Sequence, residues 1–244
     1  MENFDEIYKK LLDSNDPEKI NDLIISLSKN PKDIPSDFLK SILKNLDSNT
    51  LEKVKINFIF LLGEIGKIKK IDDKFYTYLI DSYFDSDRWI RDEIVEALIK
   101  ISYFYPPNEN LVDLLSFAII EDYLPLKKKA LDLLNVIEKV PLDILNKLFK
   151  NLDAPDSIIE DKIISIFKNN IRNERELMDF LNYSKNYKEL NRSIIRTLLI
   201  NYVHSINNLT EFRSAVQNSN WNEKFKNILI NEIEIYEKIL LKRL

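Results

Sequence analysis

The sequence predicts an all-α chain, an α-solenoid of about six to seven antiparallel helical hairpins, on three observations. One apolar template recurs in the same phase along most of the chain. The stretches between its copies have helical spacing of their own. Glycine, which most β architectures need at their turns, is almost absent.

The template is an apolar residue at i, then apolar residues at i+4, i+5 and i+8, with i+1 often basic. It reads Val54-Lys55, Phe58, Ile59, Leu62; then Ile90-Arg91, Ile94, Val95, Leu98; then Leu126-Lys127, Ala130, Leu131, Leu134. Weaker copies are Ile158, Lys162, Ile163, Ile166 and Leu190, Ile194, Ile195, Leu198. Their starts fall 36, 36, 32 and 32 residues apart. A near-constant period of roughly 20 to 50 residues marks a chain built of stacked units. The spacing within each copy is that of a helix face, not the alternation of a strand. Gly63 and Gly66 are the only glycines, which argues against phosphate-cradling loops and tight hairpin turns.

Each element follows in order. Phe4 to Leu12 and Pro17 to Ser28, the latter with Ile20, Leu23, Ile24 and Leu27 on one face, predict an entry hairpin over residues 3–30. Leu39, Ile42, Leu43 and Leu46 form the first helix before the copy at Val54. Tyr76, Leu79, Ile80, Tyr83 and Phe84 precede the second copy, and Leu111, Leu114, Leu115, Ala118 and Ile119 the third. Ile144, Leu145, Leu148, Phe149 and Leu152 precede the fourth, and Glu174 to Tyr183 the fifth. Thr210 to Val216 and a capping helix over residues 221–244 close the stack. Pro35, Pro107 and Pro141 open first helices, where a missing N–H costs nothing, and Pro125 and Pro155 fall near turns. Asp72-Asp73, Asp85-Ser86-Asp87 and Asp153 to Asp156 supply capping oxygens. The whole chain, 1–244, reads as one domain with its clearest repeats over 35–170.

Composition narrows function. With 45% hydrophobic and 31% charged residues, and no run near the roughly 18 apolar residues of a membrane span, no membrane insertion is expected. The acidic start Met1-Glu2-Asn3-Phe4-Asp5-Glu6 lacks the basic flank and apolar run of a secretory signal, so a cytoplasmic location is expected. There is no cysteine, and His204 is the single histidine. One histidine without cysteine, a His-Glu pair or a second His at i+4 builds no zinc or iron site. No cofactor, no metal and no catalysis are therefore expected. A net charge of -4 weighs against nucleic acid as partner. Residues 1–100 hold 16 basic against 20 acidic side chains, which puts the acidic excess in the first half.

The stretch Leu79-Ile80-Asp81-Ser82-Tyr83-Phe84-Asp85-Ser86-Asp87-Arg88-Trp89-Ile90-Arg91, continuing through Glu96-Ala97-Leu98, resembles the HEAT-repeat family of the armadillo-like superfamily. In that family an Asp in the hairpin turn is followed six residues later by Arg or Lys. Asp85 to Arg91 has this spacing, as has Glu121 to Lys127, and Leu62-Gly63-Glu64-Ile65-Gly66 resembles the family's second-helix ending. Asp47 and Lys55 stand eight apart and Asp153 is followed at six by Ile159, so the ladder is broken there. The resemblance implies a right-handed superhelix with second helices lining a concave surface that holds partner proteins.

On that phase, positions i+3, i+6 and i+10 of the second helices face outward: Asn57, Phe60, Glu64; Glu93, Glu96, Lys100; Lys129, Asp132, Val136; Ser193, Arg196, Ile200. A protein or peptide partner is expected along this strip, with Phe60 and Val136 as apolar anchors. Trp89, Trp221 and the group Tyr103-Phe104-Tyr105 read as packing residues. Lys127-Lys128-Lys129 reads as a solvated helix face, and Lys185, Lys188, Arg192 and Arg196 gather basic charge that could meet phosphate or an acidic peptide. The last helix carries a seam through Phe225, Leu229, Ile233, Tyr236, Leu240 and Leu244, broadened by Ile228, Ile235, Ile239 and Leu241. This is wider than one neighbour covers, so self-association through it is a second expectation. The helical-repeat DNA glycosylases are the alternative from another class. The mixed charge of the strip and the lack of a Trp-Trp-Asp segment stand against it.

Overall fold

The computed structural model describes residues 6–7, 9–10, 14, 16–105, 108–150, 156–184, 192–203 and 206–242. Among these every regular element is helical and none is a strand. In chain order they are α1 (Pro17–Ser28), a 3-10 turn (Pro31–Asp33), α2 (Ser36–Asn45), α3 (Ser48–Gly66), α4 (Asp73–Phe84), α5 (Arg88–Ile101), α6 (Glu109–Ala118) and α7 (Leu124–Asn135). There follow α8 (Leu142–Lys150), α9 (Ser157–Asn170), α10 (Glu174–Ser184), α11 (Arg192–Tyr202), α12 (Ile206–Asn218) and α13 (Glu223–Leu241). The template copies occupy α3, α5, α7, α9 and α11. Pro107, Asp153, Pro155, Lys185, Lys188, Leu190 and His204 lie outside the described residues.

Aspartates start several of the helices. Asp47 accepts from the Asn49 and Thr50 amides at the head of α3, Asp72 from Lys74 on α4, and Asp87 from Trp89 and Ile90 on α5. Asp156 does the same for α9. Each carboxylate satisfies amides that the helix's own bonding leaves open, so short acidic turns fix where the next helix begins.

The chain divides into two compact units, Met1–Leu133 and Leu134–Leu244. In the first, α1 packs on α3 and α3 on α5, while α4 packs on both α5 and α6. In the second, α9 packs on α11 and α11 on α13, α8 on α10, and α12 on α13. Within each unit alternate helices are therefore neighbours, as the period requires. Template positions i+4, i+5 and i+8 make the cores: Phe58, Ile59, Leu62, Ile94, Val95 and Leu98 in the first unit, Ile163, Ile166, Ile194, Ile195 and Leu198 in the second, are all buried. Position i is less constant. Ile158 is exposed because it sits in the first turn of α9, before the packed part of the helix.

The last helix does more than close an end. Phe225, Leu229, Ile230 and Ile233 repeat the template 35 residues after Leu190, with basic Lys226 at i+1. Phe225, Leu229 and Ile233 are buried, and α13 takes the neighbour's place beside α11 that α11 takes beside α9.

Neither glycine has positive φ. Both lie in α3 against α5, and a Cβ at Gly66 would stand 1.7 Å from Ile101 Cγ2, one at Gly63 3.1 Å from Ala97 Cα. They let two helices approach closely.

The aromatic residues divide. Trp221 is buried and donates its indole N–H to Asn182 Oδ1 at 2.9 Å. Tyr105 stacks on Tyr76 at 4.6 Å between centroids and donates its hydroxyl to the Ile71 carbonyl. Tyr103 differs from expectation, being 89% exposed, whereas Trp89, although 53% exposed, packs edge to face on Tyr123 of the next hairpin. Tyr103 lies in the turn that follows α5.

Candidate binding face

The outward positions of α3, α5 and α7 form a continuous polar ladder in the first unit. Lys100 Nζ lies 2.9 Å from Glu64 on α3 and 3.8 Å from Glu96 on its own helix. Lys129 of α7 reaches back to α5, 2.8 Å from Asp92 and 3.4 Å from Glu96. Lys100 Nζ also stands 5.0 Å from the centre of the Phe60 ring, over its face, where the ring's negative quadrupole attracts the ammonium. At the middle of α3, Asn57 donates to Asn21 Oδ1 of α1 at 2.8 Å. All these side chains are half-buried, the condition under which pairing orders them without hiding them.

Helix spacing explains the arrangement. Glu93, Glu96 and Lys100 follow one another at i, i+3 and i+7 on α5, so they share its outward face. Their partners on α3 and α7 occupy the equivalent turns. Glu93 occupies the middle of the face, and its Oε1 has no hydrogen-bond partner among the described residues, nor has Asp92 Oδ1. Burial pushes the Glu93 carboxyl above its ordinary range; Lys100 and Lys129 pull the other way, and Glu96 and Asp92 add to the rise. For Lys129, burial alone would lower the ammonium, but its hydrogen bond to Asp92 and attraction to Asp92 and Glu96 outweigh it and raise it.

The structure thus brings together Phe60, Glu64, Glu96, Lys100 and Lys129, with Asn57 and Glu93 on the same helices and Asp132 exposed on α7. Lys129 is not part of a solvated run: it pairs with Asp92 and Glu96 of α5, and Lys127 and Lys128 are half-buried as well. Asp92 completes the ladder although the template omits it. It stands 37 residues before Lys129, one period away, and that spacing is the signal that could have found it.

Other strip members fall elsewhere. Val136 is exposed just beyond the end of α7 and Ile200 is exposed on α11, while the Ser193 side chain lies outside the described residues. Arg196 belongs to the second unit, where its Nε donates to Glu232 Oε2 of α13 at 2.7 Å; Arg192 lies 3.7 Å from the same carboxylate. Glu232 is 1% exposed. The basic pair on α11 is therefore engaged by an acid on the next packed helix, which sequence reading missed because Glu232 sits among apolar residues of a seam.

Among the described residues no group of three or more His, Cys, Asp or Glu is placed to hold a metal ion, and no helix is long and apolar enough to cross a membrane. The sequence matches no protein-family model and no curated protein. Two crystal structures titled as engineered proteins from the Northeast Structural Genomics Consortium are similar to it in structure. One is 16% identical, covering 96% of this chain and 97% of its own, with a TM-score of 0.48. The other is 14% identical, covering 94% and 68%, with a TM-score of 0.50. At such identity the likeness concerns the fold alone.

Proposed function

We propose that the chain is a non-catalytic protein-binding scaffold of HEAT-like hairpins, a right-handed solenoid whose concave lining includes the ladder of α3, α5 and α7. The observation that carries this reading is the pre-ordered row of half-buried charges from Glu64 through Lys100, Glu96 and Lys129 to Asp92. Charges already held in place lose little freedom when a partner arrives, and preorganisation of this kind converts polar contact into specificity. Four carboxylates, Glu64, Asp92, Glu93 and Glu96, outnumber the two ammonium groups of Lys100 and Lys129. A segment that presents a donor or a cation to Glu93 and an apolar side chain to Phe60 suits it. The test is a titration of an identified partner against the native chain and Glu93→Lys/Glu96→Lys. Affinity should fall at least about tenfold in the variant, as expected for like charges placed opposite each other; an unchanged affinity sinks the assignment of the face.

A second reading, self-association through α13, rests on a separate observation. Phe225, Leu229, Ile233 and Tyr236 are covered, but Ile235, Ile239 and Leu241 remain exposed on the same helix. Sedimentation of Ile235→Lys/Ile239→Lys beside the native chain decides it, because these surface changes leave the covered seam intact. A native dimer that becomes a monomer supports the reading, and a monomer in both removes it.

A further inference from the structure

The turn that joins α4 to α5 and the turn that joins α6 to α7 meet along one edge of the first unit. Three contacts link them: Phe84 and Phe117 stand edge to face at 5.5 Å, Trp89 and Tyr123 likewise at 5.5 Å, and Arg91 pairs with Glu121. A cleft of about 300 Å³ opens there, with Phe84, Phe117 and Ile120 on its walls beside the Arg91–Glu121 pair. These apolar side chains are not buried by the fold. Phe84, Trp89, Phe117 and Ile120 are 49%, 53%, 52% and 51% exposed. Scattered single hydrophobes are ordinary on a surface, but a linked group around a cleft marks a place where something docks.

The charge around the cleft says what. Neither segment 75–87 nor segment 108–123 contains a single Lys or Arg, while Asp81, Asp85, Asp113 and Asp122 are exposed within them. Asp81 precedes Phe84 by three residues on α4, and Asp113 precedes Phe117 by four on α6, so each ring shares a helix face with a carboxylate. Two bases beside the edge are engaged. Arg91 holds Glu121 and the Ser86 carbonyl, and Arg88 lies over the Trp89 and Tyr123 rings. A cleft of mixed apolar and polar lining with acidic side chains around it disfavours anionic lipid and nucleic acid, and attracts cationic side chains.

We propose that this edge docks an amphipathic helix of a partner protein, with apolar anchors flanked by Lys and Arg. The anchors cover the exposed surfaces of Phe84, Phe117 and Ile120 at the cleft, and the flanking cations meet Asp81 and Asp113 along the outer faces of α4 and α6. The site is distinct from the ladder, which is built on outward positions of α3, α5 and α7, and stands or falls independently of it.

The chain reports on this edge by itself. Trp89 and Trp221 are its two tryptophans, and Trp221 is buried in the second unit, so in the full chain carrying Trp221→Phe the selectively excited tryptophan emission comes from the edge alone. The probe is a synthetic helical peptide of Leu and Lys in amphipathic register, beside its Leu and Glu counterpart and phosphatidylserine vesicles. The Leu–Lys peptide should shift Trp89 emission to the blue with saturation. Its affinity should fall about tenfold or more in Phe84→Ser/Phe117→Ser and again in Asp81→Lys/Asp113→Lys, with unchanged far-UV circular dichroism, and stay the same in Glu93→Lys/Glu96→Lys. The inference is overturned by no response of Trp89, by equal response to the Leu–Glu peptide or the vesicles, or by binding that only the ladder variant weakens. Equal affinity in native and edge variants overturns it as well.

Discussion

Lys100 of α5 meets Glu64 of α3 at 2.9 Å, and the two stand one template period apart in the sequence. Similar separations recur in several polar contacts between packed helices: 36 residues for Asn57 to Asn21, 37 for Lys129 to Asp92, 36 for Arg196 to Glu232 and 38 for Ser184 to Asn146; Arg213 to Glu237, 24 apart, joins the two helices of one hairpin instead. The former contacts keep the period of the apolar ones, because stacking equivalent helices brings equivalent positions face to face.

A double-mutant cycle on Glu64→Gln and Lys100→Met measures that relationship. The coupling expected for such a partly screened pair is about 0.5–1 kcal/mol in urea unfolding, shrinking as salt is raised. Lys100→Met alone should cost more than Glu64→Gln, since Lys100 also approaches Glu96 and lies over Phe60.

Gly66→Ala tests the close approach of α3 and α5. The new methyl would collide with Ile101 Cγ2, and overpacking of this kind costs about 1–3 kcal/mol, more than the roughly 1 kcal/mol that alanine returns in helix propensity. Gly63→Ala meets only tight contacts at 3.1–3.3 Å and should be the milder change. In thermal melts, Gly66→Ala combined with Ile101→Ala should lose less than the two single losses added. Simple additivity would mean that the helices do not touch there.

Glu232 is a carboxylate sealed into the second unit and answered by Arg196 and Arg192. Removing the answering charge strands an ion away from water, while removing both restores an apolar interface. Arg196→Ala should therefore lower the urea midpoint more than Arg196→Ala combined with Glu232→Leu. If the double variant is the less stable of the two, the pair itself stabilises the unit.

Glu93 gives stability a pH dependence of known sign. Because burial raises its native pKa, the folded chain keeps the proton over a range in which the unfolded chain has lost it. Its contribution is most favourable below the ordinary carboxylate range and declines as pH climbs through the raised native value. Glu93→Gln, which cannot ionise, should melt higher than the native chain at pH 7–8, and the advantage should vanish towards pH 4. An advantage independent of pH would assign the effect to packing.

Much of this fold was legible in advance. Phe58, Ile94 and Leu131 announce helix faces by spacing alone, and Asp47, Asp87 and Asp156 announce where helices start, since both signals depend on neighbours close in sequence. The face holding Asn57, Phe60, Glu64, Glu93, Glu96, Lys100 and Lys129 followed from the same phase. Tyr103 was misread because an aromatic residue near a helix end is buried only if a later segment happens to cover it.

What the sequence determined by itself is helical periodicity and its recurrence, which are local matters of 3.6 residues per turn and of the acidic turns that begin several helices. Whether a given charge stays in water or finds a partner was decided only in three dimensions. Lys129 with Asp92 and Arg196 with Glu232 pair across helices whose relative height depends on how side chains interdigitate, and no single helix carries that information. The exposed edge at Phe84 and Phe117 is likewise a tertiary result: two separate turns had to meet before either ring could become part of a cleft.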